Sequence, residues 1–172
     1  MDKNILQNEF LTLEYLTHSL RISGLMLRGK ANLFANLSNE PPIPTPYGDF
    51  HFRGGHRLWR APEAMLRTYA PDTGELKIKD LPNGVILETQ TEPGTGIRKR
   101  IEIHLALDKA SVTLNHSLIN VGKSKAACPD ELAILHNRSG HTGNLHLLAQ
   151  VLQFRFKSNQ RFHIYFFLLR SG

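Results

Sequence analysis

Between Ile97 and Leu107 the chain alternates. Ile97, Lys99, Ile101, Ile103, Leu105 and Leu107 take the odd positions, and Arg98, Arg100, Glu102 and His104 fall on the even ones. A period of two sends successive side chains to opposite faces of a strand, whereas a helix repeats its apolar residues at three and four. This stretch is therefore a strand with one buried and one wet face, and Ile101, Ile103 and Leu105 are expected to be buried together while Glu102 and His104 face out.

The neighbouring segments extend the pattern. Asp108-Lys109-Ala110 turns the chain, and Ser111 to Val121 returns with β-branched and polar residues mixed. Upstream, Leu76 and Ile78 alternate with Lys77 and Lys79, Asp80-Leu81-Pro82-Asn83-Gly84 supplies turn chemistry, and Val85 to Thr89 runs back, a hairpin with an Asn-Gly corner. Near the start, Leu11, Leu13 and Tyr15 share one parity and Thr12 and Glu14 the other. Leu20 with Ile22, and Leu25 with Leu27, flank Ser23-Gly24 and read as two short strands separated by a turn. Pro41, Pro42, Pro44 and Pro46 remove too many amide donors for a central strand or a helix, so residues 38–48 form a loop leading to a short strand, Asp49 to Arg53. Repeated hairpins with little helical period predict an all-β, antiparallel sandwich or barrel.

Charge divides the chain. Residues 1–122 hold 14 Lys and Arg against 13 Asp and Glu, a net of +1, while residues 123–172 hold 7 against 2, a net of +5, with four of the nine histidines. A basic excess confined to one end does not make a nucleic-acid surface of the rest, and no nucleic-acid partner is expected. No apolar run approaches the roughly 18 residues of a membrane span, and the polar start of the chain is unlike a secretory signal. The lone Cys128 rules out an internal disulfide, reads as inert, and fits a cytoplasmic location.

The segment from Arg53 to Glu63 concentrates chemistry: Arg53, Arg57 and Arg60, His56, the only tryptophan, Trp59, and Glu63, beside Gly54-Gly55. Paired glycines permit positive φ and close approach of a ligand or of a second strand. Arginine and histidine can hydrogen-bond hydroxyls, and an indole can pack on the C–H face of a sugar. The same residues also have a purely structural reading: Trp59 as core, His56 as a satisfied buried histidine, and the arginines as partners of carboxylates such as Glu63. In an extended segment His56 and Leu58 face one way and Arg57 and Trp59 the other, so all four cannot line one groove without a bulge.

Other patterns are weaker. His104 and His116 lie on neighbouring predicted strands but lack a third ligand at zinc spacing. Pro93-Gly94-Thr95-Gly96 joins strands without the following Lys-Ser/Thr and helix of a phosphate loop, and Arg98-Lys99-Arg100 reads as a solvated strand edge. No metal and no cofactor is expected.

The run Gly54-Gly55-His56-Arg57-Leu58-Trp59-Arg60-Ala61-Pro62-Glu63, then Arg67 to Asp72, Thr95 to Lys99 and Ile101 to Ile103, with Asn32 to Ala35 and Thr45 to Gly48 upstream, resembles a family of unknown function in the galactose-mutarotase-like superfamily. The likeness covers about residues 5–122. It implies the front part of a mutarotase-like supersandwich, an antiparallel fold with a carbohydrate groove on its concave face, whose characterised members include aldose 1-epimerases. Mutarotation needs an acid at the ring oxygen and a base at the anomeric hydroxyl, usually histidine and glutamate, and no metal. The resemblance thus implies His56 as the catalytic position, Arg53, Arg57 and Trp59 as substrate-binding residues, and a sugar or sugar phosphate as partner. Glu63 does not match the base, and none is assigned. The alternative is a non-catalytic β-sandwich that binds or supports.

After Gly122 the likeness fades, and Glu131-Leu132-Ala133 is its last fragment. Residues 123–172 therefore read as a divergent tail, the product of a changed reading frame or splice after about Ala133, which would leave the sandwich truncated and its edges unpaired. A genuine C-terminus adding a strand or helix is the alternative.

Overall fold

A computed structural model describes residues 2–60, 64–71, 73–92 and 96–121, together with the strand segments 131–136, 145–146, 154–155, 161–167 and 169–170. Its elements are β1 (Lys3–Gln7), β2 (Leu11–Leu16), β3 (Arg21–Leu27), β4 (Ile43–Thr45), β5 (Gly48–Phe50), β6 (His56–Arg60), one helical turn α1 (Met65–Thr68), β7 (Leu76–Leu81), β8 (Gly84–Thr89), β9 (Ile97–Leu105) and β10 (Ser111–Asn120). Further along come β11 (Glu131–His136), β12 (Leu145–His146), β13 (Phe154–Arg155), β14 (Arg161–Phe167) and β15 (Leu169–Arg170). The strands form a six-stranded sheet in the order β1-β2-β3-β6-β11-β13, a five-stranded sheet β14-β10-β9-β8-β7, and the small pairs β4-β5 and β12-β15. Among the described residues every pairing between these named strands is antiparallel. Among the described residues no helix is long and apolar enough to cross a membrane.

The alternation in β9 does what its pattern demands. Ile97, Ile101, Ile103 and Leu105 are buried, and Glu102 and His104 are half-exposed. Ile101, Ile103 and Leu105 join Val85 and Leu87 of β8 and Val112 and Leu114 of β10 in one apolar cluster with Leu11, Leu13, Ile22, Leu25 and Leu58 of the other sheet. Each large sheet thus covers the apolar face of the other, a sandwich-like arrangement in which each fully buried Leu or Ile stabilises by about 1.5–3 kcal/mol.

Several local expectations are corrected. Leu107 lies past the end of β9 in the turn and is 72% exposed, because the strand pairing stops at Leu105. The Arg98-Lys99-Arg100 run is no edge: β9 runs between β8 and β10, and Lys99, on the inward parity, is 3% exposed with Nζ 2.5 Å from Glu92 Oε1. The two pulses around Ser23-Gly24 belong to one strand. Glu14 pairs with Gly24 and Tyr15 with Ile22, so Ser23 is the extra residue of a β-bulge, which lets Ile22 and Leu25, three apart, face the same core. In the β7–β8 hairpin Leu81 pairs with Gly84, leaving Pro82-Asn83 as the turn. Gly84 is already in the strand, where a Cβ would collide with the Ile103 carbonyl. The proline-rich loop folds into the separate β4–β5 pair, where Pro44 opposite Asp49 needs no donor for either large sheet.

In the stretch read from sequence as a divergent tail, the described segments continue the sheets. β11 pairs with β6, and β14 pairs with β10 from Ser111–Phe167 to Ser117–Arg161. Residues 122–130 and those between these strands lie outside the described residues, Cys128 among them.

Candidate functional site

β6 carries the segment singled out in the sequence. Its partner on one side is β3, with Arg21 opposite Arg57 and Ile22 opposite His56. The expected parity holds: His56 and Leu58 are buried toward the second sheet, and Arg57 and Trp59 lie on the other face.

His56 is 0% exposed, and its Nε2 lies 2.8 Å from Nε2 of His116, also 0% exposed, on β10 of the opposite sheet. The rings are tilted by 51° with centroids 4.9 Å apart. One nitrogen of such a contact donates and the other accepts, so the two imidazoles hold unlike tautomers at Nε2. His116 does not meet His104. On the β9–β10 ladder Thr113 sits opposite His104, whose Nε2 is 2.7 Å from Glu102 Oε1. Among the described residues no group of three or more His, Cys, Asp or Glu is arranged to hold a metal.

Arg57 is buried, donates to the Thr68 carbonyl, and sets its guanidinium 4.7 Å from the Phe50 ring centroid, which ties α1 to β6 and to the β5 strand. Arg21, beside it, is buried as well; it donates to Gly54 O at 3.3 Å and lies 5.9 Å from the same ring. Trp59 is half-buried, and its Nε1 has no hydrogen-bond partner among the described residues. Gly54 and Gly55 have φ of 73° and 71°. A Cβ would strike the Ala35 carbonyl at the first and the Ile22 carbonyl at the second, and Gly55 N donates to Ala35 O at 3.1 Å. Of the two uses offered by sequence, the glycines serve close approach of backbone to backbone.

Arg53 stands apart from this buried set. With Arg21, His51, Phe52, Asn32 and Glu14 it lines a cavity of about 450 Å³ against the face of the six-stranded sheet that points away from the core. His51 and Arg53 also line a smaller cavity of about 130 Å³ bounded by Tyr47, Asp49 and Tyr69, so they form the wall between the two. The larger cavity is built by β2, β3 and the 30–54 connection. Asn32 pins that connection to β3: its Oδ1 accepts from Leu25 N at 2.9 Å and its Nδ2 donates to Ser23 O at 3.1 Å. Glu14 is ion-paired with Lys3 at 2.9 Å.

Of the four residues expected in one site, the structure places Arg53 on the cavity, Arg57 against Phe50, His56 between the sheets and Trp59 half-buried on β6. His56 and Arg53 are therefore not brought together. Arg21, His51 and Glu14 escaped the sequence reading, which placed His51 and Arg53 in one short strand, Asp49 to Arg53; β5 instead covers Gly48–Phe50, and both residues lie in the connection after it. Comparisons of the chain with protein-family models, with curated proteins and with solved structures found no match.

Proposed function

We propose that the chain is a carbohydrate-binding β-sandwich protein whose ligand, a sugar or sugar phosphate, occupies the cavity lined by Arg53. The observation that carries this reading is a half-enclosed space of about 450 Å³ lined by two guanidiniums, an ammonium, an imidazole, two carboxamides and a carboxylate together with Phe52 and Leu16. That volume falls within the roughly 300–1,000 Å³ of small-molecule sites, and a few polar groups converging beside an apolar surface suit a hydroxylated ring. The resemblance to the galactose-mutarotase-like superfamily points the same way. Titration calorimetry with galactose, glucose and glucose 6-phosphate tests it. At least one should bind, and Arg53→Ala should weaken that binding by about 10- to 100-fold, as expected for a lost charged hydrogen bond. Absence of heat with all three, or an Arg53→Ala variant that binds like the parent, sinks the reading.

A second reading, an aldose 1-epimerase-like isomerase, is favoured by one feature: among the described residues lining the cavity, His51 is the imidazole and Glu14 the carboxylate. Mutarotation needs an acid and a base of these types. In this reading His56, engaged with His116 in the core, supports the fold, and the acid is His51. Polarimetry of fresh α-glucose should then show acceleration that His51→Ala and Glu14→Gln each abolish. Binding without acceleration leaves the non-catalytic reading.

A further inference from the structure

We infer that the bound carbohydrate is longer than one unit: the smaller cavity, across His51 and Arg53 from the larger, is a second subsite for a neutral sugar ring, and the ligand is a disaccharide or longer glycoside. This rests on the carbohydrate reading, which puts the first unit in the larger cavity. At about 130 Å³ the smaller space falls below the roughly 300–1,000 Å³ of independent small-molecule sites, so it makes no site alone. It shares His51 and Arg53 with the larger cavity of about 450 Å³, and a ligand filling the larger one enters it by passing these two side chains.

The chemistry of the two spaces decides what the extension is. Around the larger, Lys3, Arg21, His51 and Arg53 stand against one carboxylate, Glu14. Around the smaller, the carboxylate of Asp49 joins His51 and Arg53, and the aromatic residues Tyr47, Phe50 and Tyr69 are added. A phosphoryl group placed there would meet the like charge of Asp49. A pyranose ring is suited, because aromatic side chains offer apolar surface to its C–H groups and a carboxylate accepts hydrogen bonds from its hydroxyls.

The walls are fixed without a ligand. Thr45 Oγ1 donates to the Gly48 carbonyl at 2.6 Å across the β4–β5 pair, and the Tyr47 hydroxyl donates to the Leu66 carbonyl at 2.9 Å, tying that pair to α1. Tyr69 meets Phe50 edge to face with ring centroids 5.3 Å apart. Thr73, which also lines the cavity, forms an antiparallel bridge with Ser19, and Gly74 N donates to His18 O at 2.8 Å. Walls held in this way spare the ordering cost that otherwise offsets binding.

Titration calorimetry on the full chain tests this by comparing galactose, glucose and glucose 6-phosphate with lactose, maltose and cellobiose. At least one disaccharide should bind about tenfold or more tighter than either of its component monosaccharides, the gain expected from one or two further hydrogen bonds. Asp49→Ala, and Thr73→Phe, which keeps the backbone bridge to Ser19 but narrows the smaller cavity, should each remove most of that gain and leave monosaccharide affinity unchanged. Both positions are exposed, so both variants should melt like the parent. A monosaccharide that binds with no disaccharide tighter, binding of glucose 6-phosphate alone, or a disaccharide advantage that both substitutions leave intact overturns the second subsite while the carbohydrate reading stands. Absence of heat with galactose, glucose and glucose 6-phosphate sinks the carbohydrate reading and the second subsite with it.

Discussion

Gly55 and the His56–His116 pair show how single positions here answer to distant backbone. At Gly55 a side chain would need positive φ and would also meet the Ile22 carbonyl. Gly55→Ala should therefore cost at least about 2 kcal/mol, read from the urea midpoint, with an unchanged midpoint contradicting the packing described. The histidine pair lends itself to a double-mutant cycle. His116→Leu alone strips Nε2 of His56 of its buried partner and should cost about 1–3 kcal/mol. Adding His56→Leu should cost less than the sum by about 1 kcal/mol. Strict additivity would mean that the contact contributes nothing.

At the level of elements, the bulge in β3 and the alternation in β9 make opposite demands on chain length. Ser23 is the supernumerary residue between the Glu14–Gly24 and Tyr15–Ile22 pairs, so its deletion leaves Ile22 and Leu25 on the core face. The deletion variant should fold, with a loss of about 1–2 kcal/mol from the lost Asn32 bond to the Ser23 carbonyl. Deleting Glu102 instead reverses the phase of Ile97 and Ile101 against Ile103 and Leu105, and with it half of the strand's buried face. That variant should lose cooperative thermal unfolding by circular dichroism. Equal tolerance of both deletions would refute the register.

For the whole molecule, the pairing of β14 with β10 and of β11 with β6 closes edges that the first 121 residues leave open. A chain ending at residue 133 should expose the β10 edge and self-associate, which size-exclusion chromatography with light scattering will register. Its soluble fraction should keep the parent's sugar affinity, because the described residues lining the larger cavity run from Lys3 to Gly54. A monodisperse monomer would show that β14 is dispensable, and lost affinity in a soluble, folded fraction would place part of the site beyond residue 133.

The strands legible from sequence were those whose patterns are local. β2, β7, β8, β9 and β10 announce themselves by a period of two and by turn residues, because alternation and turn chemistry act over a few neighbours, and the antiparallel all-β class follows from them. The break read at Ser23-Gly24 was a bulge, since a phase change looks the same in sequence whether the strand stops or merely gains a residue. The concentration of Arg53, His56, Arg57 and Trp59 was visible, and so was the parity that would divide them. What lay on either side of β6 was not. The meeting of His56 with His116, sixty residues away, and the gathering of Arg21, His51 and Arg53 around one cavity depend on which strand pairs with which and on how two sheets face. Those are long-range choices, made by burying a shared apolar core, and no short window of sequence encodes them.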